Sequence, residues 1–479
     1  MTADDPYGML TPAHQAFGSY EVLTERRDRG PGAGFVPSVD AMTPTATRAP
    51  SASPVPTAPR RRRTRLALGG ALVLVAGTLV WGQVLRARGG LPIDGLPPFH
   101  TVPRLLTWSM WPAVAYAAAM AVVLPRLARL RWPAALGTAW MAAVGWAVSL
   151  AVTDGVSRLW TPLTTKYAYL AGLSAVGDHP LTWLRGFTHA LPAYPEHVKG
   201  HPPLPVIVLW ALDHAGLHGP VPAAALMVGA GCAAVPAIAI TVRIVAGPVH
   251  ARRALPFLVL APTAMFVATS MDAFFLGVTA GGIALVAVAA HRHAVLPAVA
   301  GGVLLGAAPY LSYALLTLGA PILAVLIATR PPRRVVLAGI AGGLVVPAAM
   351  TAAGFWWPDG VAATSGAWAA SAGGNRPYGY FLLGDLAVLA AVLGPAVLAG
   401  LGRLRGTEWR TWILPAAAFI AVMALDVAGI TRGEVERIWL PYAAWMVTGA
   451  AALRGPARGW LAAQAGTAVV MQALMGSPW

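Results

Sequence analysis

The chain has 479 residues, of which 57% are hydrophobic and 11% charged, with a formal net charge of +16 and a mean hydropathy of +0.64. These values exclude a soluble globular domain, in which about a quarter of the residues carry charge. The basic balance does not indicate nucleic acid: the arginines fall in short segments between apolar runs, where the positive-inside rule puts them.

Residues 1–59 are rich in Pro, Ser, Thr, Gly and Ala with no apolar periodicity, so a disordered tail is expected. It runs to residue 65 through Arg60, Arg61, Arg62, Arg63 and Arg65, a block that predicts a cytoplasmic N-terminus. The first apolar run begins only at Leu66, so no secretory signal peptide is expected. Cys232, the one cysteine, lies in an apolar run and reads as a small buried hydrophobe, not as a metal or disulfide position.

Apolar runs of about 17 to 25 residues match a hydrocarbon core of about 30 Å. The first are Leu66 to Leu85, Leu106 to Leu124 and Pro133 to Val152, with Arg126, Arg129 and Arg131 marking the cytoplasmic side, so Asp154 is predicted to emerge outside. The segment Pro202 to Gly216, interrupted by Pro205 and Asp213, is short for a span and is expected at the interface. Later spans are expected at Val221 to Val242, Ala254 to Thr269, Ala273 to Ala290, Ala294 to Pro309, Leu311 to Thr329 and Val335 to Ala353. Phe381 to Leu401, Trp412 to Ala428, Ile438 to Leu453 and Trp460 to Leu474 complete the series. The reading is an all-α polytopic membrane protein of about 13 transmembrane helices. It divides into a tail (1–65), two additional spans (66–132) and a core (133–479) with an outer loop over residues 154–201.

On this topology the acidic residues from Asp94 onward, Glu408 excepted, fall in outer loops or at nearby span ends. A carboxylate in or beside hydrocarbon needs a partner or a water-filled cavity, so a polar site on the outer face is predicted. The loop over residues 154–201 is the densest polar tract after the tail, with Asp178, His179, Arg185, His189, Glu196, His197 and Lys199, and it closes on Gly200-His201-Pro202-Pro203-Leu204.

Four features resemble the GT-C glycosyltransferases that take a sugar from a polyprenyl phosphate, such as protein O-mannosyltransferases and the aminoarabinose transferase of lipid A. Asp154 directly follows a span, where that family has its catalytic acid; His201-Pro202-Pro203-Leu204 is similar to its HPPL or KPPL signature. Ser270-Met271-Asp272-Ala273 matches the second acidic position, and Glu436-Arg437-Ile438-Trp439-Leu440-Pro441 looks like the ERYLLP-type opening of a late span. The resemblance covers roughly residues 133–453. The chain departs from it in having Gly155 where many relatives have a second acid, and in its two additional spans. GHPP, MDA, RPYGYF and GEVERIWLP are similar more narrowly to actinobacterial-type envelope transferases, methylthioxylose transferases among them, that use decaprenyl phosphate sugars. The resemblance implies a multi-pass enzyme of the cytoplasmic membrane whose site faces outward and whose acceptor is an envelope glycan or glycolipid.

Transfer from a lipid phosphate needs a base for the acceptor hydroxyl and cationic donors for the departing phosphate. Asp154, where a span meets water, is the candidate base, and a helix-terminating Asp before Gly155 is the plain alternative. Lys166 and Lys199, the two lysines of the chain, are phosphate candidates or simply solvated loop charge. His179, His189, His197 and His201 with Glu196 are candidates for substrate contact or, alternatively, for a divalent metal. His197 and His201 have i, i+4 spacing, but Gly200 and the prolines argue against a continuous helix there. Asp272 is either a turn residue or a donor-site residue, and Arg376 with Tyr378 is a candidate for phosphate or sugar contact. Glu434 and Arg437, with Glu436, read as an ion pair bracing the last spans or as substrate contacts. A secondary transporter or flippase is the rival class; such proteins commonly show internal repeats and midplane sites, and no repeat is evident here.

Overall fold

The computed structural model describes residues 58–476, apart from 92, 94, 100, 104–106, 404–406 and 454–456. Of the tail expected to be disordered over residues 1–65, residues 1–57 lie outside the described residues, as does Asp94, while residues 58–65 are helical and open the Ala58–Ala87 helix. What is described is helical, except for one antiparallel pairing of Val102–Pro103 with Met475–Gly476.

Among the described residues, eight helices are long and apolar enough to cross a membrane: Arg62–Ala87, Trp108–Arg129, Trp132–Asp154, Pro220–Ala246, Met271–Arg292, Arg333–Ala352, Tyr378–Leu401 and Trp409–Val427. The protein is therefore a multi-pass, all-α membrane protein. Of the other five expected spans, four are shorter or interrupted, and the Ala457–Leu474 helix has 18 residues but is less apolar. Residues 254–269, expected as one span, divide into Pro248–Val259 and the 3-10 turn Pro262–Phe266, because Pro262 has no N–H to continue the ladder and Ala261 is extended. Val295–Leu311 has 17 residues, and the next segment is a 3-10 turn, Tyr313–Leu318, followed by Gly319–Thr329. The late segment is Leu440–Met446 plus Val447–Ala452, and Ala457–Leu474 follows.

Charge is sorted between the two ends of the bundle. At one end Arg243 and Arg252 lie over the Trp132 ring, at 4.8 and 5.5 Å. Arg252 also donates to the Leu127, Ala128 and Leu130 carbonyls, and Arg403 donates to Thr64. At the other end lie the start of Met271–Arg292, the start of Tyr378–Leu401, the end of Trp409–Val427 and the loop over residues 154–201. Among the described residues, Asp272, Asp385, Asp426, Glu434 and Glu436 are all found there.

Close helix approach in lipid depends on small residues, since apolar side chains gain nothing by leaving lipid for one another. Val295–Leu311 and Arg333–Gly343 touch backbone to backbone. A Cβ on Gly302 would lie 2.1 Å from the Gly339 carbonyl oxygen, and one on Gly342 would lie 2.2 Å from that of Val299.

Tyr378–Leu401, expected as a continuous span, is broken at Gly394, whose φ of 74° and ψ of 170° fall outside the helical region, just before Pro395. Backbone groups freed inside a membrane must be re-satisfied. Gln464 of the Ala457–Leu474 helix does this: its Oε1 accepts from the Ala396 N–H at 2.9 Å, and its Nε2 donates to the Leu393 carbonyl.

Gln464→Leu should lower stability by about 1–3 kcal/mol by orphaning both backbone groups, and Gly302→Ala by about 1–3 kcal/mol through overpacking. Gly229→Ala, whose Cβ meets nothing within 4 Å, is the control and should stay within about 0.5 kcal/mol. Thermal unfolding of the purified protein measures all three.

Candidate functional site

The site is built from three stretches that are remote in sequence. The first is the start of the Met271–Arg292 helix. Ser270 caps it, its Oγ accepting from the Ala273 N–H at 3.4 Å and donating to the Phe266 carbonyl at 2.7 Å. Asp272 follows in the first turn, where the helix dipole favours a carboxylate.

The second is the Glu434–Arg437 turn. Arg437 Nη1 donates to Asp272 Oδ2 at 2.7 Å, and Nη2 donates to Glu434 Oε2 at 3.2 Å. The Arg437 and Asp272 side chains are 6% and 4% exposed, so this is a buried ion pair. Burial pulls the Arg437 pKa down, but the Asp272 and Glu434 carboxylates outweigh it and hold the group above its ordinary value, fully cationic. Glu434, in the left-handed region with φ of 61°, also accepts from Arg376 Nη2 at 3.1 Å. Arg376 in turn reaches the Arg432 carbonyl at 2.6 Å. Asp385 sets the height of this turn: its carboxylate accepts from the Gly433 N–H at 3.0 and 3.2 Å.

The third is the end of the loop over residues 154–201. His197 lies in the short helix Glu196–Lys199, which Gly200 ends before Leu204–His214 begins. His201 Nδ1 bonds to the His197 carbonyl at 2.9 Å, and the His201 ring tilts against Phe275 at 5.8 Å. Tyr169 packs against both imidazoles, 5.6 Å from His197 and 5.5 Å from His201. Burial first, and then the Arg437 charge, lower the His197 pKa to about 3. Burial lowers that of His201 too, with Asp272 opposing. Both rings are neutral at physiological pH. Burial, reinforced by Asp272, raises the Tyr169 pKa and keeps its hydroxyl protonated.

Of the residues expected from sequence, His197, His201, Asp272, Arg376, Glu434 and Arg437 come together here. The partner that a buried Asp272 requires is Arg437. Tyr378 borders the cluster: its hydroxyl donates to the Val427 carbonyl at 2.8 Å, and its ring stacks with Arg432, which also lies over Trp368. The remaining candidates stay on the loop surface. Lys166 lies over Tyr167 at 5.1 Å, Lys199 pairs with Glu196 at 3.4 Å, and His179 and His189 are exposed.

Asp154 ends the 3-10 turn Val152–Asp154 before Gly155, whose φ is 105°. It is exposed, so the protein itself does not supply the partial desolvation expected of it. Its surroundings are nonetheless tied to the site. Gln472 donates to Thr153 at 3.1 Å, and Thr269, three residues before Asp272, donates to the Leu159 carbonyl. Sequence reasoning missed Tyr169 and Arg432, neither of which sits in a motif.

Among the described residues no group of three or more His, Cys, Asp or Glu side chains is arranged to hold a metal ion. The metal alternative for His179, His189, Glu196, His197 and His201 therefore has no donor set. Leu276, one turn beyond Asp272, lines an apolar cavity of about 40 Å³ with Cys232, Val235, Thr263, Val267 and Leu440. In comparisons with family models, curated proteins and solved structures, nothing matches the chain.

Removing one partner of a buried pair leaves an uncompensated charge. Arg437→Met and Asp272→Ala should each cost about 3–5 kcal/mol, and the double variant should cost less than their sum. A thermal-unfolding mutant cycle measures this. A second expectation concerns pH. With a folded-state pKa of about 3 against an ordinary 6.5 for His197, the unfolded chain binds the extra proton between those values. This contribution is complete above about 6.5 and is lost as pH falls toward 3. His197→Gln should flatten the decline in melting temperature across that window.

Proposed function

We propose that this protein is a membrane glycosyltransferase of GT-C type, moving a sugar from a polyprenyl phosphate, decaprenyl phosphate in the narrower resemblance, to a cell-envelope glycan or lipid. In this reading the site faces outward from the cytoplasmic membrane. The observation that carries it is the convergence of the loop ending in His201-Pro202-Pro203, Asp272 and the Glu434–Arg437 turn into one polar cluster around a buried ion pair. A lipid-linked sugar needs polar groups for its head at the end of apolar, membrane-spanning helices along which its chain can lie.

In the proposed chemistry Asp154 takes the acceptor hydroxyl proton as its oxygen attacks the anomeric carbon, and the lipid phosphate leaves with the electron pair of the broken bond. Lys166, Lys199 and Arg376 are the proposed cations on the phosphate side, and Arg437 holds Asp272 and Glu434 in place. His179, His189, Glu196 and Tyr378 are proposed for loop contacts to the sugar or acceptor.

A transporter or flippase draws support from the broken helix at Gly394, since discontinuous helices line many transport sites. Gln464 closes that break with two hydrogen bonds, and so favours the enzyme.

Asp154→Asn should reduce transfer by about 10²–10⁴-fold while leaving the protein in the membrane, read by product formation from a prenyl-phosphate sugar. Retained turnover removes Asp154 from the base role. Envelope glycan analysis after gene deletion should show a missing terminal sugar. An intact envelope together with solute flux in liposomes would overturn the enzyme in favour of the transporter.

A further inference from the structure

We propose that the Tyr169 hydroxyl contacts substrate, and that the cluster it forms with His197, His201 and Asp272 takes a neutral sugar hydroxyl and not the anionic phosphate of the donor. The identification of the hydroxyl as that of a transferred or accepting sugar rests on the transferase reading; the chemistry of the cluster does not.

Tyr169 is 3% exposed, and its hydroxyl has no hydrogen-bond partner among the described residues. A buried hydroxyl left unpaired is unfavourable, and phenylalanine would keep the ring against both imidazoles without that cost. The Tyr169 ring lies against both imidazoles, 5.6 Å from His197 and 5.5 Å from His201, and the Asp272 and Arg437 charges both act on its hydroxyl.

The charges around it decide what it binds. Arg437, the cation beside Tyr169, already meets both Asp272 and Glu434, and both imidazoles are neutral. A phosphate among these groups would lose its hydration while meeting a guanidinium committed to two carboxylates, and desolvating an anion without a matched cation is strongly unfavourable. A sugar hydroxyl carries no charge and both donates and accepts, so it can accept from the phenol while donating to a neighbouring acceptor. The flanking aromatic and imidazole faces suit the apolar face of a sugar ring.

The test uses the full-length protein in lipid nanodiscs and Tyr169→Phe, with methyl pentosides and methyl hexosides as neutral probes and inorganic phosphate as the anionic one. At least one methyl glycoside should bind the wild type by calorimetry, with affinity about tenfold weaker in Tyr169→Phe. The variant without ligand should melt at or above the wild-type temperature. Phosphate binding lost in Tyr169→Phe, absence of glycoside binding, or a lower melting temperature with glycoside affinity unchanged would each overturn the proposal. Transfer from a prenyl-phosphate sugar with kcat and KM unchanged in Tyr169→Phe would overturn it and leave the transferase standing. Tyr169-dependent glycoside binding without any transfer would do the reverse.

Discussion

The buried pair between Asp272 and Arg437 is the contact on which the polar end of this protein depends. The two residues are 165 positions apart, and neither is tolerable alone in a bundle whose surroundings are apolar. Once the pair forms, the Met271–Arg292 helix and the Glu434–Arg437 turn are fixed against each other at one height. Glu434 passes that constraint on to Arg376, and Asp385 holds the same turn from beneath through the Gly433 N–H. The loop over residues 154–201 then has a fixed surface to close on, which it meets with His201 against Phe275.

The pair also explains why a chain with formal charge +16 has so little free cationic character inside. Among the described residues, Arg252 at one end meets backbone carbonyls and an aromatic face, and Arg432 at the other does the same, while Arg376 and Arg437 are matched to carboxylates. The matched pair sets the electrostatics of the cluster, where burial and the Arg437 charge keep His197 neutral.

Much of this was legible in the sequence, but unevenly. Arginine placement and apolar runs identify the long helices, because hydropathy and the positive-inside rule act on each segment alone. Asp272 and Arg437 stand out for the same reason: a charge beside an apolar run calls for a partner. The identity of the partner was open, since pairing across 165 residues leaves no local pattern. Interrupted segments such as 254–269 read as single spans because hydropathy counts side chains, whereas Pro262 acts on the backbone. Tyr169 was illegible: an aromatic in a polar loop carries no signal until its neighbours are known.

The Gln464 closure has a consequence for synthesis. Ala396 precedes the glutamine by 68 residues, so during translation the Leu393 carbonyl and the Ala396 N–H enter the bilayer without their final partner. The Ala457–Leu474 helix thus serves as a late-arriving latch. Until it docks, the nascent chain carries an open stretch of backbone that quality control is able to detect.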